Sequence, residues 1–274
     1  MHPMISVLKA NNEKEPFSEE KVIASMRRAG VDPSIQPEVL SHIKKKLHNG
    51  ITTNEIYHII VSFLDDAGQS YTRGRYSLKE AIMMLGPTGY PFEDFVARLF
   101  EIQGFAVLVR QTLTGKCVTH EIDVILEKEH KKEMIETKFH NSHGIKSDIQ
   151  VALYTKARFD DIKDKNGLTS AWIVTNTKTS IDANTYAQCV GMKIMSWDYP
   201  AENSLRDLIE RLRLYPITML TTLTQHHKEQ LLDNHIVLCR DIKKNPQLLE
   251  ILSLTIEERK QVTQELAFLT PIKD

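Results

Sequence analysis

Cysteine is scarce and poorly placed for any structural use. The 274 residues carry three, Cys117, Cys189 and Cys239, far apart and in no CxxC pair. A disulfide scaffold and a zinc ribbon therefore both lack their ligands. No apolar run approaches the roughly 18 residues that a membrane span needs. Met1-His2-Pro3-Met4 leads straight into mixed polar sequence, without the charged-then-apolar order of a signal peptide. An excess of one charge is missing too. Thirty-five Lys+Arg against 36 Asp+Glu leave a net charge of -1, which excludes a globally basic nucleic-acid coat but not a local basic face. There is no low-complexity tract and no repeat of fixed period. What is present is ordinary globular composition, 41% hydrophobic and 26% charged, with room for two or three domains. The expectation is a cytoplasmic protein with free thiols and no membrane partner.

Three blocks separate by pattern: residues 1–87, 88–203 and 204–274. The first opens with a strand candidate, Ile5-Ser6-Val7-Leu8, and an Asn11-Asn12 turn. Ser18 is a good N-cap ahead of Glu19 and Glu20, and Val22, Ile23, Met26 and Ala29 recur at helical spacing up to Gly30. Thr52-Thr53-Asn54-Glu55 holds a capping box for a second helix. A third helix is expected over residues 72–85, ended by Gly86-Pro87-Thr88-Gly89, the best domain break in the chain.

The second block alternates helix and strand signals. Phe92, Phe95, Val96, Leu99 and Phe100 share one helix face. Strands follow at 105–111, 119–126 and 134–139, a helix over 145–161, a buried strand at 171–174, a helix over 182–190 and a strand at 192–197. That order predicts a mixed sheet flanked by helices. The third block is helical in pattern throughout.

Chemistry concentrates on the second and third of those strands. Asp123 lies in His120-Glu121-Ile122-Asp123-Val124, and Glu136-Thr137-Lys138 on the next strand. Alternation puts Glu136 and Lys138 on one face, and a hairpin lets Asp123 join them while Ile122, Val124 and Ile135 point the other way. Two carboxylates and the Thr137 carbonyl suit Mg²⁺ or Mn²⁺, with Lys138 offsetting developing negative charge. The competing reading of the same residues is a solvated salt-bridge ladder. His120, His140 and His143 crowd the region but lack the spacing of a zinc triad.

These residues carry a resemblance. Gly89-Tyr90-Pro91-Phe92-Glu93-Asp94-Phe95-Val96, Gly104-Phe105, Glu121-Ile122-Asp123-Val124, Ile135-Glu136-Thr137-Lys138 and Gln150-Val151-Ala152-Leu153-Tyr154 resemble the Mrr-type restriction endonuclease domain of the PD-(D/E)xK nucleases. The resemblance implies metal-dependent hydrolysis of DNA phosphodiesters. Asp123, Glu136 and the Thr137 carbonyl would hold the metal, Lys138 would be catalytic, Glu93 an accessory acid and Gln150 an orienting group. Thr137 stands where the family often has Cys, and Glu121 is a second-choice ligand.

The first block is similar to an ATP-cone, through Val7-Leu8-Lys9, Glu15, Phe17, Lys21-Val22 and Gly50-Ile51-Thr52-Thr53-Asn54-Glu55-Ile56. That resemblance implies ATP or dATP as a regulatory ligand, with Lys9 and Lys21 on its phosphates and Glu15, Val22 and Thr53 around it. Ala10-Asn11-Asn12 departs from the family by losing a basic residue. Residues 216–270 loosely resemble a helix-hairpin-helix module without its glycine-bearing hairpin; a plain interaction domain is the alternative.

Residues 101–165 carry 11 basic and 11 acidic side chains. Lys116, Lys146, Lys156 and Arg158 are the cations expected to be free to line a DNA groove. The fold class expected is therefore a multidomain α+β or α/β chain: a mostly helical cone, a restriction-endonuclease-like sheet and a helical C-terminal module. The function expected is a nucleotide-regulated DNA endonuclease acting as a dimer or tetramer. The alternative is an inactive nucleotide-sensing DNA-binding or assembly protein on the same fold.

Overall fold

The computed structural model describes residues 5–10 and 12–270; Met1 to Met4 and Asn11, read above as an N-terminus and a turn, lie outside them. The first block forms β1 (Ser6–Leu8), β2 (Lys14–Pro16), α1 (Glu19–Arg28), α2 (Gln36–Lys46), β3 (Ile51–Thr52) and α3 (Thr53–Asp66). In its small sheet β1 lies between antiparallel β2 and parallel β3. Helix starts sit where the sequence offers caps. The Ser18 hydroxyl accepts from Lys21 N at 3.2 Å, and Thr52 and Glu55 exchange both bonds of a capping box. Val7, Met26, Val39, Ile43, Ile51, Ile60 and Leu64 form the core of this block.

The single helix expected over 72–85 is two, α4 (Ser70–Tyr76) and α5 (Leu78–Met83), and they serve different cores. Tyr76 packs against the first core, whereas Leu78, Ala81, Ile82 and Leu85 are buried in the next one. Ser77 lies between, its hydroxyl oxygen accepting from the Tyr57 hydroxyl at 2.8 Å. Tyr76 and the Leu78-Ala81-Ile82-Leu85 set thus meet separate cores on either side of the break.

The second block follows as α6 (Tyr90–Glu101), β4 (Ala106–Thr114), β5 (Thr119–Lys128), β6 (Lys131–Lys138), β7 (Lys146–Ser147), α7 (Ile149–Asn166), β8 (Ser170–Thr175), β9 (Lys178–Thr179), α8 (Ile181–Cys189) and β10 (Lys193–Met195). Its five-stranded sheet runs β10-β8-β6-β5-β4. The β4-β5-β6 meander is antiparallel, and β6, β8 and β10 are parallel, so the sheet is mixed as expected. The helix expected from 145 starts later, because Asp148 caps it through Gln150 N at 2.9 Å. The residues before that cap pair with β9 instead, as a separate two-stranded ribbon.

The third block is helical: α9 (Leu205–Leu212), α10 (Gln225–Asp233), α11 (Cys239–Lys244) and α12 (Ile256–Leu269), with 3₁₀ turns at Ile217–Met219 and Pro246–Ile251. It shares one core with α5 and α6, including Val124, Ile135, Leu208, Leu238 and Leu266. Helices α7 and α8 cover the other sheet face with Ile122, Ile125, Met134 and Ile173. Ile122 and Val124, which alternation puts on one face, serve opposite clusters instead. No helix among the described residues is long and apolar enough to cross a membrane.

Candidate active site

The pairing of β5 with β6 ends at Val124 opposite Ile135. Beyond it the next residues on each strand, Asp123 and Glu136-Thr137-Lys138, stand at a fork in the sheet. Asp123 bridges the fork: its Oδ2 accepts from Thr137 N at 2.7 Å and from Thr137 Oγ1 at 3.0 Å. Glu136 is half-buried and lies within electrostatic reach of Asp123, Lys138 and Glu93. Glu93 arrives from the first turn of α6. The structure thus brings Glu93, Asp123, Glu136, Thr137 and Lys138 together.

Electrostatics mark the three acids. Burial first, and then the Asp123 charge, push the Glu93 carboxyl up to about 7 against the pull of Arg110. Burial and Asp123 likewise push Glu136 up to about 7, against Arg158 and Lys138. Asp123 is raised by burial, with the Thr137 donors opposing. Carboxyls raised by burial and by the Asp123 charge mark a site short of positive charge.

Two arginines supply part of it. Arg110 reaches Glu93 at 3.2 Å and Asp94 at 2.8 Å, from a strand position with φ of 51°. Arg158, buried on α7, pairs with Glu136 and donates to the Glu121 carbonyl. The sequence reading has it free for DNA, and it is not. Lys116 and Lys156 are also engaged, with Asp164 and Asp160. Arg110 had no signal in the sequence. Arg158 had one, since it continues the four-residue step from Gln150 through Tyr154, and its guanidinium lies 5.2 Å from the Tyr154 ring. Gln150 itself is exposed in the first turn of α7. Glu121 is exposed and contributes a backbone carbonyl.

The donor set fits a hard divalent ion that keeps some of its water. Among the described residues no three His, Cys, Asp or Glu side chains form a ready-made metal cage. Asp123, Glu136 and the Thr137 carbonyl are a partial shell of oxygen donors instead, and Arg158 has a buried Nε with no partner beside it. The histidines are spoken for separately. His120 meets Asp161 at 2.8 Å, His140 meets Ser147 at 2.9 Å, and His143 meets Glu80 at 3.0 Å.

In the first block a cavity of about 280 Å³ is lined by Glu15, Lys21, Val22, Thr53, Tyr57 and Tyr76, among others. Glu15 holds Lys9 at 2.9 Å and Lys21 at 2.7 Å, so its carboxyl is pulled down. Four of the five nucleotide candidates face this cavity. Lys9 lines a different one, between the first block and the second.

Fold and site together define a restriction-endonuclease domain behind an ATP cone. The family model for the ATP cone domain matches residues 5–80, that for restriction endonuclease matches 86–201, and that described as AF1548-like, C-terminal, matches 215–270. An uncharacterized protein of Archaeoglobus fulgidus is 38% identical over 171 residues, covering 62% of this chain and 97% of its own length. The crystal structure of the protein of unknown function AF1548 is also 38% identical, with a TM-score of 0.57 over 66% of this chain and 97% of that one. A crystal structure of a repair endonuclease from Pyrococcus abyssi is far more distant, at 18% identity and a TM-score of 0.29 over 35% of this chain and 39% of its own. The chain belongs to the AF1548-like family.

Proposed function

We propose that the protein is a nucleotide-regulated, Mg²⁺-dependent DNA endonuclease. The observation that carries this reading is the fork of β5 and β6, where Asp123, Glu136 and Glu93 converge with Lys138 beside them. Asp123, Glu136 and the Thr137 carbonyl would hold the ion, which supplies a water of lowered pKa and charge stabilisation at a phosphoryl oxygen. Thr137 fixes the Asp123 carboxylate through two hydrogen bonds, so its orientation is set before substrate arrives. Lys138, exposed at the end of β6, offers its ammonium to the negative charge that grows on the phosphate. Arg110 holds Glu93 at the rim. Residues 1–87, 88–203 and 204–274 serve in this reading as the cone, the nuclease unit and a helical module, and DNA and ATP or dATP are the partners.

A second reading, a silent site on a nucleotide-sensing assembly protein, draws on Arg158, whose guanidinium occupies Glu136. Plasmid cleavage separates the two. With Mg²⁺ or Mn²⁺ the wild-type chain should nick DNA, and Asp123→Asn and Lys138→Ala should each lower the rate at least about 100-fold. EDTA should abolish cutting. Wild type that cuts no faster than Asp123→Asn ends the enzyme reading.

A further inference from the structure

A second cluster of cations lies outside the carboxylate site, in a cavity of about 290 Å³ lined by Lys9, Lys79, His143, Lys146, Lys178 and Trp197. It draws on the β1–β2 turn, on α5 and on the β7–β9 ribbon. Lys146 and Lys178 are register partners on parallel strands, and like charges set side by side across a ribbon repel. Asp198 answers one of them, at 2.5 Å from Lys178. Lys79 sits deeper. Its ammonium donates to the Asn176 carbonyl and lies 4.4 Å from the centre of the Trp197 ring. Neither of those partners carries negative charge; burial pulls its pKa down to about 8, against the Glu80 and Asp198 charges and with a smaller push from Lys178. Two acids lie within electrostatic reach, but the direct contacts of this largely buried ammonium are a carbonyl and a ring rather than a carboxylate. Of the described residues lining the cavity, Glu13 is the single acid, 3.7 Å from Lys9, which Glu15 holds from outside the lining at 2.9 Å.

The cavity is tied to the candidate active site by hydrogen bonds at the strand ends. Lys138 ends β6 in register with Thr175 on β8. Just beyond, Asn176 ties the two exits together, bonding His140 N and His140 O at 2.9 Å each, and Lys79 bonds the Asn176 carbonyl. Both sites thus sit at the carboxyl ends of parallel strands, where open α/β sheets receive ligands. We propose that this cavity grips a backbone phosphate of the DNA strand at a distance from the bond being cut. The ligand class rests on the nuclease reading; the cation cluster does not. Lys9, held by Glu13 and Glu15, brings the cone to the edge of this cavity, and Glu15 also lines the cone's own cavity.

The test uses the full chain with Asp123→Asn throughout, so that nothing is cut, and reads fluorescence anisotropy of a labelled duplex. Adding Lys146→Ala and Lys178→Ala should weaken binding about tenfold and lower the slope of log K against log salt by about 1–2, near 0.9 for each phosphate no longer neutralised. Both lysines are exposed, and an unaltered circular dichroism spectrum confirms the fold. Affinity and slope equal to those of the parent overturn the proposal. Free ATP and inorganic phosphate form a second arm, titrated at constant ionic strength into the Lys21→Ala chain on DNA. Displacement that requires Lys146 and Lys178 supports a DNA phosphate in the cavity; phosphate binding by calorimetry that needs both lysines while DNA affinity does not assigns the cavity to free phosphate and overturns the DNA assignment. Plasmid cutting by wild type reports separately on the nuclease reading. A chain that cuts while the lysine variants bind normally keeps the nuclease and loses this cavity. One that never cuts but loses affinity with the lysines does the reverse.

Discussion

Arg110 shows how much a single residue can be asked to do. With φ of 51° inside β4 it occupies a region that non-glycine residues enter at a cost of about 1–3 kcal/mol. In that conformation its guanidinium spans Glu93 and Asp94, and Asp94 in turn takes a bond from His235 at 2.8 Å. The thiols offer a cleaner measurement at this scale. Cys239 is fully buried beside the Pro216 carbonyl, and burial pushes its thiol far above the usual range. Cys117 is exposed, but Asp161 pushes its thiol up. Cys189 is exposed as well. A thiol reagent at pH 8 should therefore modify Cys189 first, Cys117 more slowly and Cys239 only after unfolding, because the thiolate is the reactive form. Peptide mapping of a time course checks the order; early labelling of Cys239 would contradict the packing. The carboxylates of the site were legible because Asp123 and Glu136 each interrupt an apolar strand, although alternation itself fails beside Asp123, where Ile122 and Val124 serve opposite clusters. Arg110 was not, since a positive φ leaves no trace in composition. Arg158 was visible as a cation but not as a paired one, because its partner lies on another element.

Between elements, one buried fastening is polar. Glu265 on α12 is completely buried and accepts four bonds of 2.7–3.0 Å from the backbone and hydroxyls of Thr221 and Thr222. Lys228, buried on α10, donates to the Thr218 carbonyl at 3.1 Å in the same region. Glu265→Ala leaves those donors without an acceptor and should cost about 3–5 kcal/mol, while Glu265→Gln, which keeps one carbonyl oxygen, should cost about 1–3 kcal/mol. Urea denaturation gives both values; a loss under about 1 kcal/mol for Glu265→Ala would mean water replaces the carboxylate. The elements themselves were legible where a cap or glycine marked an end, as at Ser18 and Thr52. They were not where only tertiary contact decides. The break at Ser77 and the short β7 strand inside an expected helix both depend on partners remote in sequence, Tyr57 and Lys178.

At the scale of the molecule, the three blocks are bound by more than the chain. Arg98 on α6 meets Asp241 on α11 at 2.7 Å, and the Thr218 hydroxyl reaches the Ala81 carbonyl at 2.6 Å. If the cone's cavity takes ATP or dATP, Lys21→Ala should weaken nucleotide binding at least about tenfold, a loss of about 1.4 kcal/mol. Nucleotide should also shift the oligomer distribution seen by light scattering, and Lys9→Ala with Lys21→Ala should remove the shift. Identical particle size with and without nucleotide would refute that regulation. The near-neutral charge balance, which first spoke against a nucleic-acid protein, conceals an uneven layout: acids gathered at the fork, lysines gathered at the strand ends.

Ser77 carries a mechanical consequence. Tyr76 belongs to one core and Leu78 to the other, so the covalent hinge between them is a single residue with no slack to absorb displacement. Its hydroxyl is tethered to Tyr57, which lines the cone's cavity and stacks on Tyr76 at 5.8 Å. Lys79 follows two positions later. The tyrosine that borders the cone's cavity and the ammonium at the strand ends are thus three positions apart on one stretch of chain, Tyr76 to Lys79.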